Sequence, residues 1–266
     1  MKKNLPLIIL LCTFFIFSFQ SKKIVKSSKA DNPNVTAGVA LTFDDTFVNE
    51  WYDTDKQLRK YSWKATFCVS EINTLNSSEI AKLLALQKEG NEIAGHGFNH
   101  YDAKKFVAQY GIDAYLNQEI DPMLALMNFY SLNVTSFAYP FGFRNAIIDA
   151  ALLKKFKIIR ATTYGAEAPY EQNCYYNNTR VLYGIGMDTT HPSFSTAYLK
   201  KLLNYTREHH KILILFGHKT VNKKAPANYE TEMKTLKLIC NFVKQNNMKF
   251  YTLSELSKSK SSPFLK

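Results

Sequence analysis

An α/β fold is predicted, a closed or nearly closed (β/α) barrel of parallel strands, and three observations predict it. Past residue 35, short apolar runs alternate with longer amphipathic stretches, the pattern of strand-helix repeats around a parallel sheet. Several runs, notably Ile212-Leu213-Ile214-Leu215-Phe216, are apolar throughout, as strands covered on both faces must be. Seven or eight such units fit within about 225 residues, and no Gly-rich phosphate loop follows the first run, which disfavours an open nucleotide-binding sheet. An apolar fraction of 46% in 266 residues suffices for one sizeable core.

In chain order, strands are expected at 38–43, 65–70, 92–96, 135–139, 157–161, 180–184, 212–217 and 249–253. The helices between them carry readable punctuation. Ser77 and Ser78 precede Glu79, then Ile80, Leu83, Leu84 and Leu86 make an apolar face, and Gly90 follows the last turn as a cap. The stretches 113–131, 145–155, 195–208 and 229–246 are similarly periodic. Pro122 lies inside the first of them and predicts a kink or break there, because it has no N–H to donate.

Ahead of the barrel, Lys2 and Lys3 followed by the apolar stretch from Leu5 to Phe19 read as an export signal or N-terminal anchor over residues 1–20. At about fifteen residues the stretch is short for a membrane-spanning helix. Residues 21–35 read as a polar linker, 36–257 as the folded domain and 258–266 as a basic tail. The domain is therefore expected outside the cytoplasm, in the periplasm, the cell envelope or the medium, as a monomer whose one route to a membrane is an uncleaved anchor.

The net charge of +12 suggests nucleic acid until it is located along the chain. Nine of the 34 basic residues sit in the two tails while all 22 acids lie between them, which leaves residues 31–257 with a net charge of +3. Nucleic acid is accordingly discounted as a partner. Past the signal, Cys68, Cys174 and Cys240 are too few and too widely spaced for a disulfide framework or a thiolate zinc site.

The chemistry gathers where strands are expected to end, which in a barrel is where functional groups collect. Asp44 and Asp45 follow the run Val39-Ala40-Leu41-Thr42-Phe43, and His96 and His100 follow Ile93-Ala94-Gly95. Two carboxylates and two imidazoles suit a divalent cation with one acid left over as a base. His96 and His100 are four apart, so a helical turn between them would bring both rings to one side. Tyr139 and His218 also fall at expected strand ends, whereas His191, His209 and His210 have no such setting and read as ordinary surface or loop residues.

Taken in order, Thr42-Phe43-Asp44-Asp45, Gly95-His96-Gly97-Phe98-Asn99-His100, Phe137-Ala138-Tyr139-Pro140-Phe141-Gly142 and Leu215-Phe216-Gly217-His218 resemble the motifs of the polysaccharide deacetylases, the NodB-homology or carbohydrate esterase family 4 group. The resemblance runs from about Gly38 to Leu256. It implies a distorted (β/α) barrel of about seven parallel strands and metal-dependent removal of acetyl groups from an N-acetylated polysaccharide. By resemblance, Asp45, His96 and His100 would hold the metal, Asp44 would be the base and His218 the acid. The expected cofactor is a divalent metal, Zn2+ first, with Co2+ or Ni2+ as alternatives. The Phe141 amide after Pro140 would supply an oxyanion donor, Tyr139 and Phe141 would offer aromatic faces to a sugar, and Phe216 would lie beside the acetyl methyl.

Two departures stand out. The family pattern places an Arg two residues before the third-motif proline, where this chain has Ala138, so Arg160 is expected to substitute, with Arg144 as the other option. The fourth-motif Asp-x-x-Asp-Trp is absent and Asp188 is its expected stand-in. The loop 164–179, with Tyr170, Tyr175 and Tyr176, is expected to shape the glycan groove. The alternatives to N-deacetylation are an O-acetyl polysaccharide esterase and a carbohydrate-binding domain without catalysis.

Overall fold

Every run expected to be a strand enters one parallel sheet. In the computed structural model, which describes residues 36–222 and 227–257, the strands are β1 (Gly38–Asp45), β2 (Thr66–Val69), β3 (Glu92–Gly95), β4 (Ser136–Ala138), β5 (Ile158–Thr163), β6 (Val181–Gly186), β7 (Ile212–Gly217), β8 (Lys219–Val221), β9 (Glu230–Glu232) and β10 (Lys249–Tyr251). β1 to β7 pair in sequence, and β1 pairs with β7 to close a barrel of seven parallel strands. The signal and linker expected over 1–35 and the tail at 258–266 lie outside the described residues.

The closing strand is unusual in having three partners. One edge of β1 pairs with β7 from Gly38 to Phe43; the other pairs with β10 at Gly38–Ala40 and with β2 at Thr42–Asp45. β10 therefore fills the gap between β1 and β2 at the end where the strands start, leaving the opposite end to seven strands. Gly38 is needed at this junction, since a Cβ there would fall 2.4 Å from the Lys249 carbonyl oxygen.

β1 is buried along its whole length except at Asp45, which explains why its run lacks alternation. A continuous core of strand and helix side chains surrounds the sheet, with Trp51, Phe43, Phe67 and Phe137 fully buried. Two helices escaped the sequence reading. Val48–Leu58 buries Thr54 and Asp55 on its inner face, which dilutes the apolar period, and Ala103–Tyr110 is a short helix capped by Asp102 and ended by Gly111 at φ 83°. The stretch expected as one helix over 229–246 begins as β9, which pairs with β8 in a separate two-stranded sheet, and becomes helical at Met233–Gln245.

Pro122 breaks its helix in a particular way. Ile112–Tyr115 runs into a π-helical turn, Leu116–Ile120, before Asp121–Phe129 continues. The Asp121 N–H reaches back five residues to the Leu116 carbonyl. Carbonyls released by this widening are taken up by the loop after β3: Gln118 accepts from the Asn99 side chain at 3.1 Å and Glu119 from the Phe98 N–H at 3.1 Å. The break thus builds a cradle for the segment that carries both histidines.

Candidate active site

Asp44 and Asp45 end β1, and a regular strand would send them to opposite faces. Asp45 instead adopts φ 85°, a left-handed backbone that a side chain rarely takes and that marks a site held by its surroundings. Asp44 remains inside the barrel while the Asp45 carboxylate stands at its mouth. His96 follows β3 and is buried, and its Nδ1 donates to the Ala138 carbonyl at 2.9 Å. That bond leaves Nε2 as the free lone pair.

His100 arrives by a different path from the helical turn expected for it. The intervening residues form no helix, and both Gly97 (φ 94°) and His100 (φ 59°) are left-handed. A Cβ at Gly97 would sit 2.3 Å from Glu119 Oε1, so only glycine allows the loop to press onto that carboxylate. Glu119 accepts from the Asn99 N–H at 2.8 Å and the Tyr101 N–H at 2.9 Å, bracketing His100. Sequence reasoning missed Glu119; the proline three residues on was the one trace of it.

The three donors converge. Asp45, His96 and His100 each offer an atom within 4.8 Å of the others: His100 Nε2 is 3.3 Å from Asp45 Oδ1 and 3.3 Å from His96 Nε2, and His96 Nε2 is 3.7 Å from Asp45 Oδ1. One carboxylate and two imidazole nitrogens facing a common point fit a divalent cation. Burial drags the His96 imidazole down to about 4 against the pull of Asp44 and Asp45, so it is neutral and ready to ligate. Burial also acts on His100, but its hydrogen bond to Asp45 wins and raises it.

Asp44 is set apart from this trio. Arg160, fully buried on β5, donates through Nη2 to Asp44 Oδ1, and it stands in register opposite Ala138 on β4. The guanidinium is thus supplied from one strand over, in an interior kept open by the small buried residues Cys68, Ala94 and Ala138. Burial alone would raise the Asp44 carboxyl; Arg160 foremost, with His96 and His218, holds it below its usual range instead. Arg144 does not compete for this role. It forks onto Asp149 and donates to the Tyr183 hydroxyl at 2.7 Å.

His218 follows β7 and is gripped by Asp188, which accepts from its ring Nδ1 and, at 3.1 Å, from its backbone N–H. Thr231 on β9 donates to the same carboxylate, and Trp51 donates to the His218 carbonyl at 3.0 Å. Burial would lower this imidazole, yet the hydrogen bond and charge of Asp188, aided by Asp44 and Asp45, raise it overall.

Around these groups opens a cleft of about 720 Å³. Phe141, with φ 60° and half exposed, and Phe216 both line it, next to the buried Pro140. Tyr139 is also among the residues lining it, but its ring is buried and its hydroxyl donates to Asp149 at 2.8 Å, which holds the ring within the wall. The reading of His191 is corrected, for it lines the cleft against Phe216 rather than lying on an ordinary surface. Of the tyrosines expected to shape the groove, Tyr170 is exposed outside the cleft, Tyr175 packs on Tyr205 and Tyr176 bonds the Leu256 carbonyl; Tyr164, at the edge of that loop and not singled out by the sequence, lines it instead.

Comparison with known proteins places this geometry in context. A family model described as polysaccharide deacetylase matches residues 31–158. Among solved structures, a family 4 acetyl xylan esterase from Clostridium thermocellum in complex with a cobalt ion superposes with a TM-score of 0.55 at 20% identity, covering 82% of this chain and 89% of that one. The chitin deacetylase of Colletotrichum lindemuthianum gives 0.53 at 15% identity (86% and 90%), and the catalytic domain of a peptidoglycan N-acetylglucosamine deacetylase from Eubacterium rectale gives 0.53 at 14% (90% and 99%). At these identities the likeness is one of fold. No curated protein matches.

Proposed function

Since residues 31–158 match the model of the polysaccharide deacetylase family, we propose that this chain is a hydrolase that removes acetyl groups from an N-acetylated glycan with the help of a divalent metal. The observation that carries the reading is the meeting of Asp45, His96 and His100 beside a separately paired Asp44. Those three would hold the ion, with zinc favoured by the mixed nitrogen and oxygen donors and cobalt or nickel as alternatives. When bound, such an ion supplies Lewis acidity, polarising the acetyl carbonyl and acidifying a water.

The protein's own groups then divide the proton transfers. Asp44, kept ionised by Arg160, accepts the proton of the attacking water. His218, whose protonated form Asp188 favours, gives a proton to the departing nitrogen, without which an amine is a poor leaving group. The Phe141 amide is assigned as an oxyanion donor and Phe216 as the apolar wall for the acetyl methyl. Ala138 in place of the family's arginine favours a binding domain without catalysis, whereas Arg160 donating to Asp44 supports the catalytic reading.

O-deacetylation is supported by the likeness in fold to an acetyl xylan esterase. The two reactions separate on His218, because an alkoxide leaves with less help than an amine. The apolar run from Leu5 to Phe19 supports action outside the cytoplasm. The test is acetate release from N-acetylglucosamine oligomers in zinc or cobalt, by wild type, Asp44→Asn and His96→Ala. Loss of at least about a hundredfold in each variant is expected; unchanged rates in both would refute the assignment.

A further inference from the structure

The base of the barrel, at the end away from the cleft, gathers positive charge. Lys64 lies two residues before β2, Lys157, Arg180 and Lys211 stand immediately before β5, β6 and β7, and Lys249 opens β10. Lys60, in the turn after the helix Val48–Leu58, and Lys244, in the last turn of Met233–Gln245, join them there. A cation at a helix end is ordinary, because it meets the negative end of the helix dipole. Strand starts have no such field, since sheet dipoles are small, so their cations need another reason.

Beside the starts of β2 and β10 opens a groove of about 1000 Å³. Lys60, Lys64, Lys244 and Lys249 line it, together with the rings of Tyr61 and Tyr251. Glu255 lines it too, but it is taken by Lys64 at 2.9 Å. Glu89 and Glu208, at helix ends on this side, are likewise matched, by Arg59 at 3.6 Å and Arg207 at 2.7 Å. Glu92 is buried and accepts from Thr66 Oγ1 at 3.0 Å and from Ser136. Lys60, Lys244 and Lys249 are exposed, so their ammonium groups face water around this groove.

The chain enters and leaves the domain on the same side. The Tyr251 hydroxyl donates to the Thr36 carbonyl at 2.9 Å and the Lys249 N–H to the Ala37 carbonyl at 3.0 Å. At the other end the Leu253 N–H donates to Thr66 Oγ1 at 3.0 Å and the Ser254 N–H to Glu92 at 2.8 Å, which sets the turn Leu253–Leu256 beneath β2 and β3. In sequence, Lys22, Lys23, Lys26 and Lys29 precede the first of these residues, and Lys258, Lys260 and Lys266 follow the last. The apolar run from Leu5 to Phe19 lies upstream of the former. Clustered lysines next to such a run are the ordinary means of holding anionic lipid, and tyrosine rings suit the boundary between headgroups and water.

We propose that the base of the barrel docks on an anionic phospholipid surface, with Lys60, Lys244 and Lys249 meeting headgroup phosphates. The opposite end, which carries Asp44, Asp45 and Asp188, then faces away from the lipid. This goes beyond the deacetylase reading and takes from it only the location outside the cytoplasm.

The test sediments the full chain with vesicles of phosphatidylcholine alone, or of phosphatidylcholine with an equal share of phosphatidylglycerol. Wild type is compared with the triple variant Lys60→Gln, Lys244→Gln, Lys249→Gln and with a control of the same net charge, Lys104→Gln, Lys200→Gln, Lys201→Gln. The control residues are exposed on the helices Ala103–Tyr110 and Thr196–Glu208. An apolar run enters either lipid, so the ratio of the two affinities isolates the charge. Wild type should favour the mixed vesicles, the base variant should lose at least about tenfold of that preference, and the control should keep it. Added salt should shrink the preference. Lysine acylation mapped by mass spectrometry on wild type gives a readout that needs no variant: mixed vesicles should shield Lys60, Lys244 and Lys249 and leave Lys200 and Lys201 open. A wild type indifferent to lipid charge, equal losses in the two variants, or base lysines labelled alike with and without vesicles overturns the proposal. Shielding by soluble poly(glycerol phosphate) but not by vesicles also overturns it and assigns the face to a polymer. Neither readout involves acetate, so the deacetylase reading stands or falls separately.

Discussion

Exchanging Arg160 for methionine removes the buried cation and keeps the side chain's bulk. Asp44 would then remain buried with no guanidinium, and both partners are almost fully enclosed. Breaking a buried pair from one side costs on the order of 3–5 kcal/mol, because the surviving charge is left uncompensated. For a domain of this size that corresponds to a fall in Tm of roughly 10 °C. The sign of the pH effect follows from the depressed Asp44 carboxyl. In wild type the pair's stabilisation is present above the ordinary carboxylate value of about 3.9 and lost as pH falls through the lower folded one. Without Arg160, burial dominates and the carboxyl titrates at higher pH. The acid limb of the kcat/KM profile for acetate release should move up in pH with it. Because Ala138 lies opposite Arg160 in the β4–β5 register, the exchange Ala138→Arg with Arg160→Ala carries the guanidinium one strand across. It should return the acid limb toward wild type, whereas Arg160→Ala alone should not. An acid limb unmoved in Arg160→Met, or a double variant no better than Arg160→Ala, would refute the assignment of Arg160 as the partner that keeps Asp44 ionised.

Two further outcomes follow from the same geometry. Glu119→Ala leaves the Asn99 and Tyr101 N–H groups without their acceptor on either side of His100, and should weaken zinc binding about 10- to 100-fold in a chelator competition titration; unaltered affinity would show that the loop holds His100 unaided. Asp188→Asn removes the charge that raises His218, so the basic limb of the amide-cleaving pH profile should shift to lower pH, with the acid limb in place. In wild type the His218–Asp188 pair contributes stability below the ordinary histidine value of about 6.5 and loses it as pH rises through the raised folded value.

What the sequence determined by itself is the part written in local pattern. Apolar runs such as Ile212–Phe216 announced strands because a barrel strand is buried on both sides, and functional residues could be sought at their ends because the loops there are free of the core. Asp44, Asp45, His96, His100 and His218 were legible for that reason, and Pro122 disclosed a break because a missing N–H has a local effect. Tertiary structure alone decided the partnerships. Whether Arg160 or Arg144 faces Asp44 depends on strand register and on the space left by Cys68, Ala94 and Ala138, residues scattered over three other strands. The burial of Tyr139, the turn of His191 into the cleft and the support of Glu119 beneath His100 likewise depend on contacts between segments far apart in the chain. Such contacts leave no period in the sequence. They arise from packing, which assigns a side chain its neighbours only when the barrel closes.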